Sequence, residues 1–469
     1  MGSFQLARHF RLAQAIPFRP PKIAWIGLAA AGVAVFLFWV GVLPEDRLPL
    51  LSLCILAGLF LLRYPEIALV LLIKIGKYKG DDRIESSLPF DPTLAIWALL
   101  AVAILLRLVR REQFPQFPRV YLLWLPFTII MLWSLSYTPD WEWGLEKAGR
   151  FILLCGMAIV GPIYILDRPE KLTRFFLVFV ASGLLMSLNA LTELGSDRLV
   201  APSGLNTQLG AEAAEAILVF VFFILPGLSF TRRLLCYPLI LFLLVTLVGA
   251  GARGSTLSLA LCLPLVLLFH SNLRPDFLIL VAVAVPLLAI APIPEAAITY
   301  LASLLEPDPQ VVLGFRYDLL SLGWRLFVEH PILGVGIGGY PARSPNAALF
   351  NYPHNIVLEV GAEMGVAASL LVVVLVFASF QESLRQILDR MFPWHRMACT
   401  AFVLLCTGLV MMLNSGDITS HRNMWLYMAL PFALRNLALR EKSPAGRSVP
   451  PITPPFVPFA EKGTTASSG

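Results

Sequence analysis

The chain has 469 residues, 58% of them hydrophobic and 14% charged, with a mean hydropathy of +0.76. Soluble chains are closer to a quarter charged, and a water-soluble fold could not hide this much apolar surface, so composition excludes a large soluble domain and places the chain in the membrane class. The net charge of +6 forms no continuous basic patch, which argues against a nucleic-acid partner.

A helix needs roughly 20 apolar residues to cross a hydrocarbon core of about 30 Å. In chain order the candidates are 22–43, 93–109, 119–137, 145–166, 171–193, 212–230, 233–250, 254–270, 276–293, 356–380, 395–414 and 421–437. The stretch 48–77 carries Arg63, Tyr64 and Pro65 in its middle and reads as a short helical hairpin. The expectation is an all-α polytopic transmembrane bundle of about 12–14 spans. It divides into a basic cytoplasmic N-terminus (1–21), a membrane domain (22–438) and a Pro-, Ser- and Thr-rich disordered tail (439–469). The first span follows Arg8, Arg11, Arg19 and Lys22 and meets no small-x-small cleavage site, so it reads as a retained anchor.

Lys and Arg in short loops set orientation. Arg110, Arg111, Arg119, Arg168, Lys171, Arg232, Arg233, Arg274, Arg385, Arg390 and Arg396 fall in alternate loops, which puts those loops and both termini in the cytoplasm. The opposite side then carries the segments 194–211 and 294–355. The second is too long for an idle connection. Residues 293–306 are amphipathic, and 316–330 place Leu320, Trp324 and Phe327 at helical spacing before Pro331. Ser344-Pro345 reads as an N-cap with a first-turn proline. This loop is expected to form short helices at the outer membrane surface. The six cysteines sit within expected spans without metal-site spacing and read as small apolar residues.

Ionisable residues in or beside spans are costly and are functional candidates by default. On the outer side these are Arg253, Arg316, His354, Glu359 and Glu363, the last two four apart on one helical face; Asn355 reads as the N-cap of the span that follows. Bland readings stand beside them. A lone arginine at a helix end snorkels to headgroups, a loop histidine beside Pro353 is structural, and glutamates in a first turn complement the helix dipole. The run Gly334-Val-Gly336-Ile-Gly338-Gly339 follows no strand, so turns rather than a nucleotide loop account for it. His330 and His421 share the outer side with His354, but no metal-site spacing links the three. Two arginines suit a diphosphate, through planar, bidentate, charge-assisted contacts. A neutral histidine suits removal of a hydroxyl proton. A diphosphate leaving group with a hydroxyl nucleophile is glycosyl transfer from a lipid carrier.

The segment Gly314–Phe380, with Arg316, Trp324, Glu329-His-Pro331, Gly334-Val-Gly336, Pro353-His-Asn355 and Glu363-Met-Gly365, resembles the bacterial O-antigen ligase/polymerase family. Ala252-Arg253-Gly-Ser255 resembles its second arginine motif, and Arg198 with Ser203-Gly-Leu-Asn206 a third. The resemblance spans roughly 145–440. It implies an inverting, metal-independent transfer without cofactor, on the periplasmic side of the bacterial inner membrane. The donor would be a glycan on undecaprenyl diphosphate, and the acceptor lipid A–core for a ligase or a lipid-linked glycan for an O-antigen or exopolysaccharide polymerase. By the same resemblance Arg253 and Arg316 would hold the diphosphate and His354 would be the base or orient the acceptor, with Arg198, Asn355, Glu359 and Glu363 in support. Ligases of the family carry His-[Asn/Ser/Gln]-x9-Gly-x-x-[Gly/Thr/Tyr]; here His354-Asn355 and Gly365 match but the last position is Ala368, which leaves ligase and polymerase both open. A lipid-linked sugar flippase or another transporter also fits the span count. Its charges are expected mid-membrane in broken helices, whereas these lie at the outer mouth.

Overall fold

The computed structural model describes residues 47–78, 91–109, 115–193, 199–291, 293–302, 316–344, 351–389 and 391–442. The expected first span 22–43, the basic N-terminus, Arg198, Pro345 and the tail beyond 442 lie outside the described residues. Every regular element among the described residues is helical. In chain order these are α1 (Arg47–Arg63), α2 (Pro65–Lys74), α3 (Pro92–Val109), α4 (Arg119–Ser134), α5 (Trp141–Ile165), α6 (Pro169–Thr192), α7 (Asn206–Gly227), α8 (Phe230–Ala250), α9 (Arg253–Phe269), α10 (Arg274–Ile290), α11 (Glu295–Ala302), α12 (Arg316–Glu329), α13 (Ile356–Leu388), α14 (His395–Asn414) and α15 (Arg422–Lys442).

The chain is a multi-pass membrane protein: among the described residues seven helices are long and apolar enough to cross a bilayer unaided, and up to eight if the bent α1–α2 pair is one span. This agrees with an all-α polytopic bundle; of the other expected spans, 22–43 lies outside the described residues and several are shorter or broken helices. α4 is shortened by a 3-10 turn at its start, and Pro264 breaks α9 into a 3-10 turn. The pair α1–α2 bends by 110° at Tyr64–Pro65, where a proline cannot continue the preceding ladder, which gives the expected hairpin its corner.

The outer surface is apolar. Leu235, Leu268 and Ile290 are each at least 74% exposed, a distribution that suits hydrocarbon and not water. α7 lies at the centre, packed on α6, α8, α9 and α14, while α15 packs on α5, α13 and α14. An aromatic cluster ties α4, α5 and α15 together, with Trp124 stacked on Phe151 at 4.5 Å and Trp425 edge-on to both. Two ends of the bundle are distinct in charge chemistry. At one end Asp167 gathers Arg107, Lys171 and Arg440. At the other end lie the N-termini of α9, α12 and α13 and the C-terminus of α14.

The long segment 294–355 does form short helices, α11 and α12. The buried face of α12 is Leu319, Leu322, Gly323 and Leu326, however, and Trp324 is 59% exposed. Of the three residues at helical spacing, Phe327 lies against Gly361 of α13 while Trp324 turns outward.

Candidate functional site

Arg253 reaches its place through a tight turn. α8 ends at Gly251, whose φ of 61° is the left-handed C-cap conformation that suits glycine. α9 starts two residues later, so the arginine opens a helix, and the next residue, Gly254, faces Met411 and Asn414 of α14 without a side chain to hold them off. Arg316 opens α12 and donates from Nη1 to the carbonyl of Asn414 at 2.9 Å. The two arginines thus meet at the last turn of α14. They line one narrow crevice of about 280 Å³, together with Thr207, Ser255, Met411, Asn414 and Ser415.

The start of α13 comes to the same place. Asn355 is the N-cap, as its position before the span suggests: its Oδ1 accepts from the backbone N–H of Leu358 at 3.0 Å, and its Nδ2 donates to the carbonyl of Leu413 at 3.2 Å. His354 precedes it, 7% exposed, with its ring edge-on to Tyr352 at 4.7 Å. It has a φ of 60° and is the sole non-glycine with positive φ among the described residues. That conformation costs a side-chain-bearing residue roughly 1–2 kcal/mol, and strain of this kind concentrates at functional sites. The His354 imidazole is held down to about 4 by burial first, then by the charges of Arg316 and His421, against a smaller opposing pull from Asp417. The direction is the one a helix N-terminus would give, but burial and Arg316 are the larger causes. Burial likewise pushes the Tyr352 hydroxyl up to about 12.

Glu359 and Glu363 share a face, as their spacing predicts, but that face turns inward. Both pair with Lys147 of α5 at 2.6 Å, with every side chain about 1% exposed. Glu359 Oε2 also accepts from the backbone N–H of Ile418 at 3.0 Å. This holds the loop 415–421, whose Asp417 accepts from Thr419 Oγ1 and from the backbone N–H of Ser420. Burial pushes the Asp417 carboxyl up, but Lys147 and these hydrogen bonds outweigh it and hold it below its usual range.

α13 is not one continuous helix. Gly365 has a φ of 79° and breaks it, and a Cβ there would sit 2.0 Å from the carbonyl oxygen of Ile332. The glycine-containing loop after α12 fills the break. Val335 and Gly336 donate to the carbonyls of Ala362 and Glu363 at 2.9 Å, and Val366 donates to that of Pro331 at 2.8 Å. The run from Gly334 to Gly339 therefore works as backbone packing against a broken helix, and these three bonds satisfy donors and acceptors that the break would otherwise free.

Residues 238–373 match the family model described as O-antigen ligase. The chain thus contains a segment similar to the O-antigen ligase family. The match runs from within α8 into α13 and takes in Arg253, Arg316, His354, Asn355, Glu359 and Glu363, and it supports the likeness to the O-antigen ligase/polymerase family. Such a domain supports a membrane enzyme of glycosyltransferase type, with ligase- or polymerase-like transfer of lipid-linked glycans. No curated protein matches the chain. Sequence reasoning passed over Lys147 and the last turn of α14. A lysine in the apolar run of α5 was a legible signal, since a charge inside a span demands a partner. The carbonyls of Leu413 and Asn414 left none, because backbone acceptors have no residue signature.

Proposed function

We propose that the protein transfers a glycan from undecaprenyl diphosphate to an acceptor hydroxyl on the periplasmic side of the inner membrane, with both termini in the cytoplasm. The reading rests on one observation above the rest: Arg253 and Arg316, far apart in sequence, line the same crevice, with His354 near enough to feel the charge of Arg316. Two guanidinium forks suit the two phosphates of the donor. The anomeric C–O bond to the diphosphate breaks and its electron pair leaves with the diphosphate. An acceptor oxygen forms the new bond from the opposite face, inverting the centre, and its proton passes to the neutral His354 ring. The arginines take the charge-stabilising role that a divalent ion has in other phosphate transfers, so a chelator is expected to leave turnover unchanged. Asn355 caps the helix that carries the histidine. Glu359 and Glu363 act from behind, by holding α13 to α5. Arg198 would add a third cation for the donor.

The ligase reading, with lipid A–core as acceptor, is favoured by the family match. The polymerase reading is kept by Ala368 in place of the ligase motif's last residue. Purified protein in liposomes, supplied with an undecaprenyl-diphosphate glycan and each acceptor in turn, separates them. One shift in product size means ligase, a ladder means polymerase, and relocation of the glycan without a product means a flippase and overturns the enzyme reading. A single cysteine at Ser344 should react with an impermeant reagent from the periplasm, and one at Ser467 only after permeabilisation; labelling of both from one side overturns the orientation.

A further inference from the structure

A second crevice lies at the far end of the bundle, where α4 begins and α13 and α15 end. It is an open crevice of about 1360 Å³, lined by Arg119, Arg385 and Arg435 with Glu382, flanked by Phe117 and Phe432. Arg385 lies at the C-terminal end of α13, about 20 residues past the break at Gly365, and His354 just before its start, so at 1.5 Å of helix per residue the crevice is no part of the site described above. Its charges are unbalanced. Among the described residues three guanidinium groups face one carboxylate, and that carboxylate is largely engaged: Glu382 Oε1 accepts from Gln386 Nε2 at 3.0 Å. Its Oε2 lies 3.5 Å from Arg385 and 3.7 Å from Arg435, the latter too long for a hydrogen bond. Arg435 rests over the Phe432 ring at 5.2 Å, and its buried Nε has no hydrogen-bond partner. About a third of the Arg435 side chain is exposed to the crevice side, which leaves the outer guanidinium open to a phosphate oxygen.

The neighbouring surface says which phosphate. On the turns leading toward mid-membrane, α4 exposes Leu122, Leu125 and Ile129 and α13 exposes Val374 and Phe377, the last 65% exposed. A free anion has no use for that surface, but an acyl chain does. We propose that this crevice binds the headgroup of an anionic phospholipid, its phosphodiester on Arg385 and Arg435 with Arg119 at the rim, and its acyl chains along α4 and α13. Basic pockets between membrane helices at headgroup depth recognise such lipids in this way. The inference does not depend on the glycan-transfer reading.

The test uses the full-length protein in neutral detergent, with lipid binding read by native mass spectrometry. Phosphatidylglycerol is expected to bind at least tenfold more tightly than phosphatidylcholine. Arg385→Gln and Arg119→Gln alter exposed side chains and should fold as the wild type does; each is expected to weaken phosphatidylglycerol binding about fivefold. Arg435→Gln should weaken it further, since it removes the half-buried guanidinium. Equal binding of the two lipids to wild type, or an undiminished preference in the Arg385→Gln/Arg119→Gln pair, overturns the site. Displacement of phosphatidylglycerol by millimolar inorganic phosphate overturns the lipid as its occupant.

Discussion

Two sets of charged side chains meet near the start of α13, and their settings differ. Lys147, Glu359 and Glu363 are about 1% exposed and 2.6 Å apart, closed upon themselves. Arg253 and Arg316 are half-buried and line a narrow crevice. A buried cluster in which one lysine bridges two glutamates, with backbone N–H groups of Ile418 and Tyr340 on the carboxylates, holds α5 to α13, and loss of the lysine exposes the cost of ions left without partners. Half-buried cations beside a crevice are the setting that the proposed diphosphate role of Arg253 and Arg316 requires. The sequence spacing of Glu359 and Glu363 looks equally active in both settings, and only the location of Lys147 separates them.

The sharpest way to break the comparison is at Lys147. Lys147→Ala leaves two buried carboxylates facing one another and is expected to cost about 3–5 kcal/mol, seen as lost monodisperse protein and a lower thermal midpoint in detergent. Replacing all three charges together, with Lys147→Met, Glu359→Gln and Glu363→Gln, should recover most of that loss. If Lys147→Ala is as stable as wild type but inactive, the triad belongs to the chemistry instead.

On the crevice side the largest effect is expected at His354. His354→Ala should retain its fold and donor binding while turnover falls roughly 100-fold or more, the range for a lost general base. His354→Gln keeps a hydrogen bond, so wild-type turnover in that variant would leave the histidine a structural role only. Arg253→Lys and Arg316→Lys keep the charge but lose the fork. Each should lower turnover on the order of 10–100-fold, the worth of one charged hydrogen bond, with stability little changed; full activity in both variants removes the diphosphate role.

The smallest effect is in pH dependence. With His354 held down to about 4, the free base persists through pH 5, and the acid limb of kcat/KM should fall near pH 4 rather than near the ordinary 6.5. The same shift bears on stability. Between pH 6.5 and 4 the unfolded chain takes up a proton on this ring that the folded chain does not, so the histidine's contribution is present above pH 6.5 and fades as pH falls toward 4. An acid limb near 6.5 would show a solvated ring and dissolve the link to Arg316.

Much of the fold was legible because the bilayer imposes a simple rule. The span at 395–414 is where its apolar run places it, and Asn355 caps α13 as a polar residue before a long apolar run should. Helices that break were not legible as such. Nothing in the run 356–380 marks Gly365 as a stop, since glycine is common inside membrane helices, and its partner strip around Pro331–Gly336 is distant in reading although adjacent in space. The stripe on α12 was misjudged at Trp324 because lipid accepts apolar side chains as readily as a protein core does. The convergence of Arg253, Arg316 and His354 followed from topology, but its meeting point on the carbonyls of Leu413 and Asn414 could not, because main-chain acceptors are the same in every sequence.

The break at Gly365 also bears on how the protein meets membranes of unequal thickness. Where hydrocarbon depth and helix length disagree, a helix tilts or bends to match, at a modest cost per ångström. In α13 that tilt belongs to the portion after Gly365, whose first amide, on Val366, is bonded to Pro331. The portion before it is fastened by the Lys147 triad and by the strip at Val335 and Gly336. A thinner or thicker bilayer would lean the lower shaft as a universal joint does, while the histidine at the top kept its bearing.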